Sequence, residues 1–168
     1  GAGKEESSQP PVSYQRRPEW VKLLRKAAKD ADQFYWKTHY MLGCAWLAEG
    51  DAERAEEELN TSCTLETNAW NTYALAEVYR VLGQPERAAR TMLAAARIAP
   101  EDDSLCKRTA LALTTAGLWD PLAVFVESLS EKQKQLPRIR LYRAICALWQ
   151  EIRYFAADIG GGSEKLAR

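Results

Sequence analysis

Residues 69–102 read AWNTYALAEVYRVLGQPERAARTMLAAARIAPED. Apolar residues recur there at helical spacing in two runs, on either side of Gly83-Gln84-Pro85. Steps of three and four place them on one face of each run. Glycine closes one helix and proline opens the next. The stretch therefore predicts two helices joined by a tight turn. Small residues, Ala76 and Ala88, let the helices approach closely, and large ones, Tyr79 and Met92, fill the space around the contact.

The same pattern recurs on both sides. Residues 36–68 lie over it at an offset of 33: Leu42 on Leu75, Gly43 on Ala76, Trp46 on Tyr79, Gly50 on Gly83, Ala55 on Ala88 and Leu59 on Met92. At an offset of 34 it continues through residues 103–136, with Ala110, Leu113, Gly117, Leu122 and Val126 in the matching places. One helix pair cannot bury its apolar face alone, so stacked pairs share a continuous core. The predicted helix starts agree. Asp51 stands where it caps a helix, Pro85 and Pro121 suit a first helical turn, and Pro100 followed by Glu101-Asp102-Asp103 reads as a break and an acidic helix start.

On these residues the chain resembles the tetratricopeptide repeat (TPR) family. Residues 69–102 carry the fullest copy: Leu75, Ala76, Tyr79, Gly83, Ala88, Met92, Ala95 and Pro100. Residues 36–68 lack the closing proline. Residues 103–136 depart further, with Thr109 and Leu122 at positions that usually hold a leucine-like residue and an alanine. The resemblance covers roughly 100 of the 168 residues. It implies an all-α fold, a right-handed superhelix of antiparallel helix pairs: a TPR-like α-solenoid of about three repeats plus capping helices. Residues 19–158 form the expected repeat domain. Residues 19–31 are amphipathic, with Trp20, Leu23, Leu24 and Ala27 on one face, and read as a cap, the alternative being the second helix of a degenerate earlier repeat. Residues 137–157 read as a terminal helix. Residues 1–18, with Ser7-Ser8-Gln9-Pro10-Pro11, read as a flexible arm, and residues 159–168, with Gly160-Gly161-Gly162-Ser163, as a flexible tail.

Composition narrows the function. Lys plus Arg equals Asp plus Glu at 23 each, so the chain lacks the basic excess expected of a nucleic-acid binder. No apolar run reaches the roughly 18–20 residues of a membrane helix, and residues 1–20 lack the apolar core of a signal peptide. Four cysteines without a CxxC pair, beside a single histidine, make a poor metal set. They read as reduced thiols, and the expected location is the cytoplasm. No GxSxG, P-loop or HExxH motif occurs. His39 reads as a packing residue, and Glu56-Glu57-Glu58 as a solvated helix face. No catalytic residue, metal or cofactor is expected, and the chain reads as a non-enzyme.

The resemblance also places a concave groove along the first helix of each pair, at positions two, five, nine and twelve. These are Lys37, Tyr40, Cys44 and Leu47; Trp70, Tyr73, Glu77 and Arg80; Ser104, Lys107, Leu111 and Thr114; and, from the last helix, Arg138, Leu141, Ile145 and Leu148. Tyr40, Trp70 and Tyr73 suit apolar side chains of a bound segment, while Arg80, Lys107 and the neighbouring Arg108 suit acidic groups. The five clamp positions of chaperone-tail binders hold Tyr40, Cys44, Ala74, Ser104 and Arg108, of which one matches, which argues against that subclass. The expectation is a non-catalytic scaffold that binds a peptide or helix of a protein partner. The alternative is an assembly or oligomerisation module of a larger TPR protein.

Overall fold

The computed structural model describes residues 19, 21–23, 26 and 35–165. The expected arm at residues 1–18 and most of the expected cap lie outside these. Of the cap, Val21 is buried and Leu23 exposed, so the buried face includes Val21 and not Leu23.

Among the described residues the fold is all-helical. Helices α1 (Trp36–Glu49) and α2 (Ala52–Leu65) form a first pair, α3 (Ala69–Val81) and α4 (Pro85–Ile98) a second, and α5 (Asp103–Thr115) and α6 (Trp119–Ser128) a third. A single turn, α7 (Glu131–Lys134), leads to the long α8 (Pro137–Lys165). Each helix packs on the next through α6, and α8 packs on α5 and α6.

The three pair turns share one geometry. Gly50, Gly83 and Gly117 have φ of 88°, 71° and 69°, a left-handed conformation that costs glycine nothing. The residue after each glycine donates its N–H back to a carbonyl five positions earlier: Asp51 to Trp46 (3.0 Å), Gln84 to Tyr79 (2.9 Å) and Leu118 to Leu113 (2.9 Å). This bond satisfies a carbonyl that the helix end leaves open. Two helices, α2 and α5, start on an aspartate cap. Asp51 accepts from the Arg54 N–H at 3.1 Å, and Asp102 accepts from Ser104 and Leu105 at 2.8 and 2.9 Å. Pro85 is the first residue of α4, where its missing N–H costs no bond.

The crossing within each pair is lined by small residues. Ala55, Ala76 and Ala110 are fully buried and Ala88 nearly so. At Gly43 the approach is closest: an added Cβ would lie 2.5 Å from Leu59 Cγ and 3.2 Å from the Ala55 carbonyl oxygen. Thr109 and Leu122, the residues that depart from the repeat pattern, are also fully buried. Thr109 spends its hydroxyl on the Leu105 and Met92 carbonyls, which ties α5 to α4.

A buried polar network joins the first two pairs. Ser62 donates to the Trp36 carbonyl at 2.9 Å. The Asn71 amide donates to Ser62 Oγ at 3.1 Å and to the Glu66 carbonyl at 2.6 Å, and its oxygen accepts from the Asn68 N–H at 3.0 Å. Asn68 returns the bond to the Asn71 N–H, closing a capping box at the start of α3.

Two regions depart from the sequence reading. The third pair is shorter, because α6 ends at Ser128 and Ser130 caps the separate turn α7. Buried Gln133 fastens that turn through its amide to the Pro100 carbonyl at 2.8 Å. The terminal helix does not stop at Ala157 but continues to Lys165 through Gly160–Gly162. Glycine weakens a helix by about 1 kcal/mol relative to alanine without breaking its hydrogen bonds.

Two outcomes are expected. Gly→Ala inside a helix ordinarily stabilises by about 1 kcal/mol; Gly43→Ala should instead destabilise, because the new methyl meets Leu59 and the Ala55 backbone. Denaturant midpoints fix the sign. Asn71→Ala should cost about 2 kcal/mol or more in the same assay, since it strands Ser62, Glu66 and the Asn68 N–H.

Candidate functional site

Where the second pair meets the third, the fold leaves a cleft of about 610 Å³. Trp70 and Tyr73 of α3 form one wall, and Ser104, Leu105 and Arg108 of α5 the other. Ile98, Ala99, Pro100, Glu101 and Asp102, the link between the pairs, complete it. A second cleft of about 340 Å³ continues along the same two helices. It is lined by Ala76, Glu77 and Arg80 from α3, Pro85, Ala88 and Met92 from α4, and Arg108, Leu111, Ala112 and Thr115 from α5. Arg108 belongs to both.

The polar groups are arranged as follows. Arg108 Nη1 donates to the Tyr73 hydroxyl at 2.8 Å, and the guanidinium lies 5.7 Å from that ring's centre. This bond spans the two helices. Arg80 Nε donates to Glu77 Oε2 at 2.8 Å, so these two charges offset each other. Asp102 spends its carboxylate on the N-terminus of α5. The Arg108 charge therefore meets a neutral phenol rather than a carboxylate. At the wall, Asn68 is buried with its Nδ2 donor lacking a hydrogen-bond partner, while its oxygen caps α3. Apolar surface here comes from Trp70, Pro100 and Ile98, the last 45% exposed.

Seven of the residues expected in the groove thus come together on the two clefts: Trp70, Tyr73, Glu77, Arg80, Ser104, Arg108 and Leu111. Three do not. Lys37 is half-buried on α1 with its ammonium over the Tyr35 and Trp36 rings, at 5.3 and 5.7 Å. Lys107 is half-buried on α5 and lines neither cleft. Tyr40 is only 6% exposed, in the core with Cys44, Ala74 and Val78, and meets Trp36 edge to face at 6.1 Å. One helical turn after Trp36, its ring packs inward. Cys44 is buried in the same cluster.

The link Ile98–Pro100 and the buried Asn68 line the cleft unforeseen. Ile98 ends an apolar periodic run, which in sequence reads as core. Here it is 45% exposed on the cleft.

The remaining reactive groups have structural partners. His39 Nδ1 lies 2.8 Å from Glu58 Oε2 and joins α1 to α2. None of the four cysteines is in a disulfide. Burial pushes Cys106 up to about 11, helped by the Asp102 and Asp103 carboxylates and opposed by a hydrogen bond from Gln133. Burial also raises Cys63 and Cys146. Among the described residues no group of three or more His, Cys, Asp or Glu is placed to hold a metal, and no described helix is long and apolar enough to cross a membrane. Compared with known proteins, the chain matches no family model and no curated sequence.

A raised thiol pKa means less thiolate at a given pH. At pH 8 an alkylating reagent should therefore modify Cys106 of the folded chain last, and half-buried Cys63 before it. Peptide mapping of a labelling time course checks this; Cys106 reacting as fast as in denaturant would contradict it.

Proposed function

We propose that the chain is a non-catalytic, tetratricopeptide-type scaffold: a right-handed superhelix of helix pairs whose inner face binds a segment of a protein partner. The support for the superhelix is the recurrence, three times at steps of 33 and 34 residues, of a left-handed glycine, its backward hydrogen bond and a small buried residue at the helix crossing. Pairs that repeat one geometry at near-constant spacing stack with a constant small rotation.

The observation that carries the binding reading is the placement of Trp70, Tyr73 and Arg108 on one open cleft. Large, rigid aromatic surface beside a guanidinium is what interface hot spots are made of. Such a cleft suits a peptide or helix that presents an apolar side chain next to an acidic group. The apolar group displaces water from Trp70 and Ile98; the acidic group replaces the Tyr73 phenol as partner of Arg108, a stronger charge-assisted bond. The walls are helices held by buried contacts, so little rearrangement accompanies binding.

The reading is tested by capture from the source lysate with wild type and a Trp70/Tyr73/Arg108 triple-alanine variant, followed by titration of the captured partner. Trp70→Ala and Arg108→Ala should each weaken binding by about 1 kcal/mol or more with helicity unchanged. Tyr40→Ala should instead lower stability, because that ring is core. Equal capture by wild type and triple variant would overturn the assignment.

A further inference from the structure

One wall of the larger cleft holds a polar atom that the chain itself leaves unserved. Asn68, at the head of α3, is 5% exposed and lines the cleft. Its Oδ1 accepts from the Trp70 and Asn71 N–H groups at 3.0 and 3.1 Å. Those two bonds fix which way the amide points, so the atom left over is Nδ2, a donor. Among the described residues Nδ2 has no hydrogen-bond partner. A buried donor without an acceptor is a standing cost in the free chain, and an occupant that brings an acceptor removes it.

The charges along the cleft are of both signs. Arg108 is exposed and donates to a neutral phenol, that of Tyr73. Toward the start of α5 stand exposed Glu101 and Asp102, whose two cap bonds both fall on Oδ1. Asp102 caps α5, and Arg108 lies six residues further along the chain. At a rise of about 1.5 Å per residue the two are about 9 Å apart along the helix axis.

The orphaned donor decides the backbone form of the occupant. A helix uses its carbonyl oxygens on its own N–H groups, all but those of the last turn, so along its length it has none for Asn68 Nδ2. An extended segment leaves its carbonyls open to the surface it lies on. Nδ2 is closed to water in the free chain, so the carbonyl reaches it as side chains at the rim turn. Thr67, exposed, and Trp70, half-buried, flank Asn68 in sequence and line the same cleft. Side-chain adjustment of this kind is common at interfaces whose backbone stays put. The charges then set a spacing. An extended segment spans about 9 Å in about three residues, whereas a helix needs about six.

We infer that the cleft takes an extended peptide rather than a helix, with a main-chain carbonyl on Asn68 Nδ2. An apolar side chain of that peptide lies on Trp70 and Ile98, and an acidic one meets Arg108. A basic side chain about three residues from the acidic one lies by Glu101 and Asp102. The inference rests on the groove reading and narrows it from a peptide or helix to one backbone form.

A phage-displayed library of random linear peptides, selected on the whole chain, supplies the probe. Counter-selection on a variant carrying both Trp70→Ala and Arg108→Ala removes peptides that use another face. Recovered peptides should carry an acidic and a basic residue about three positions apart, with an apolar residue between them. The strongest binder is then synthesised and titrated with each main-chain amide replaced in turn by a trans-alkene, which keeps the shape and removes the carbonyl. One replacement should weaken binding to wild type at least about 10-fold. Asn68→Asp keeps an oxygen for the α3 cap and turns the donor into an acceptor. It should bind the parent peptide at least about 10-fold more weakly than wild type, and the decisive alkene should weaken it no further. The alkene series on wild type stands even where Asn68→Asp lowers the unfolding midpoint. Peptides that need Trp70 and Arg108 yet tolerate Asn68→Asp and every alkene, or that turn helical on binding by circular dichroism, would overturn the inference and leave the groove reading in place. Recovery of no peptide sensitive to Trp70→Ala would overturn both.

Discussion

The structure depends on the closeness of the helix crossing inside each pair. At Gly43 there is no room for a single added carbon against Leu59 and the Ala55 backbone. Ala76 and Ala110, at the matching places, are the smallest residues that still carry a side chain, and neither is exposed. A close crossing holds only if the turn brings the chain straight back. The left-handed glycines at 50, 83 and 117 do this in three residues or fewer between helices. Larger residues then close the space around each crossing. Arg54 and Arg87 lie over the Trp46 and Tyr79 rings at 4.7 and 3.8 Å, one equivalent pair in each of the first two units. Such contacts are worth about 0.5–1 kcal/mol at exposed sites; the buried apolar surface is the larger contribution.

The open clefts follow from how pairs join rather than from how each is built. The first and second pairs are fastened by the Ser62–Asn71 network. The second and third are joined by the link through Pro100, which holds α3 and α5 far enough apart for a cleft. Across that cleft Arg108 donates to the Tyr73 hydroxyl, a neutral acceptor. Arg80, by contrast, already has its carboxylate in Glu77.

Local rules made much of this legible. Periodicity, glycine turns and caps give the three pairs and their boundaries to within a few residues, because these signals act over one helical turn. The end of α8 was not legible in that way. Gly160–Gly162 is a weak helix former, and the sequence alone sets no partner against which to weigh it. The site was legible in part. Trp70, Tyr73, Glu77, Arg80, Arg108 and Leu111 fall on the clefts because helical register carries a face along α3 and α5. Tyr40 failed the same rule, since whether a ring on α1 turns toward Trp36 or outward is decided by packing, which register does not encode. Ile98 and Pro100 were missed for the opposite reason: an apolar residue at a helix end looks like core until the neighbouring pair is seen to stand away from it.

The most direct test of a partner-binding inner face is amide hydrogen exchange of the chain, free and bound to the segment it captures. Slower exchange concentrated in residues 67–73 and 98–108, which frame the larger cleft, is the result the account requires. Slower exchange confined to α2 and α4, or to α8, with those residues unchanged, would contradict it.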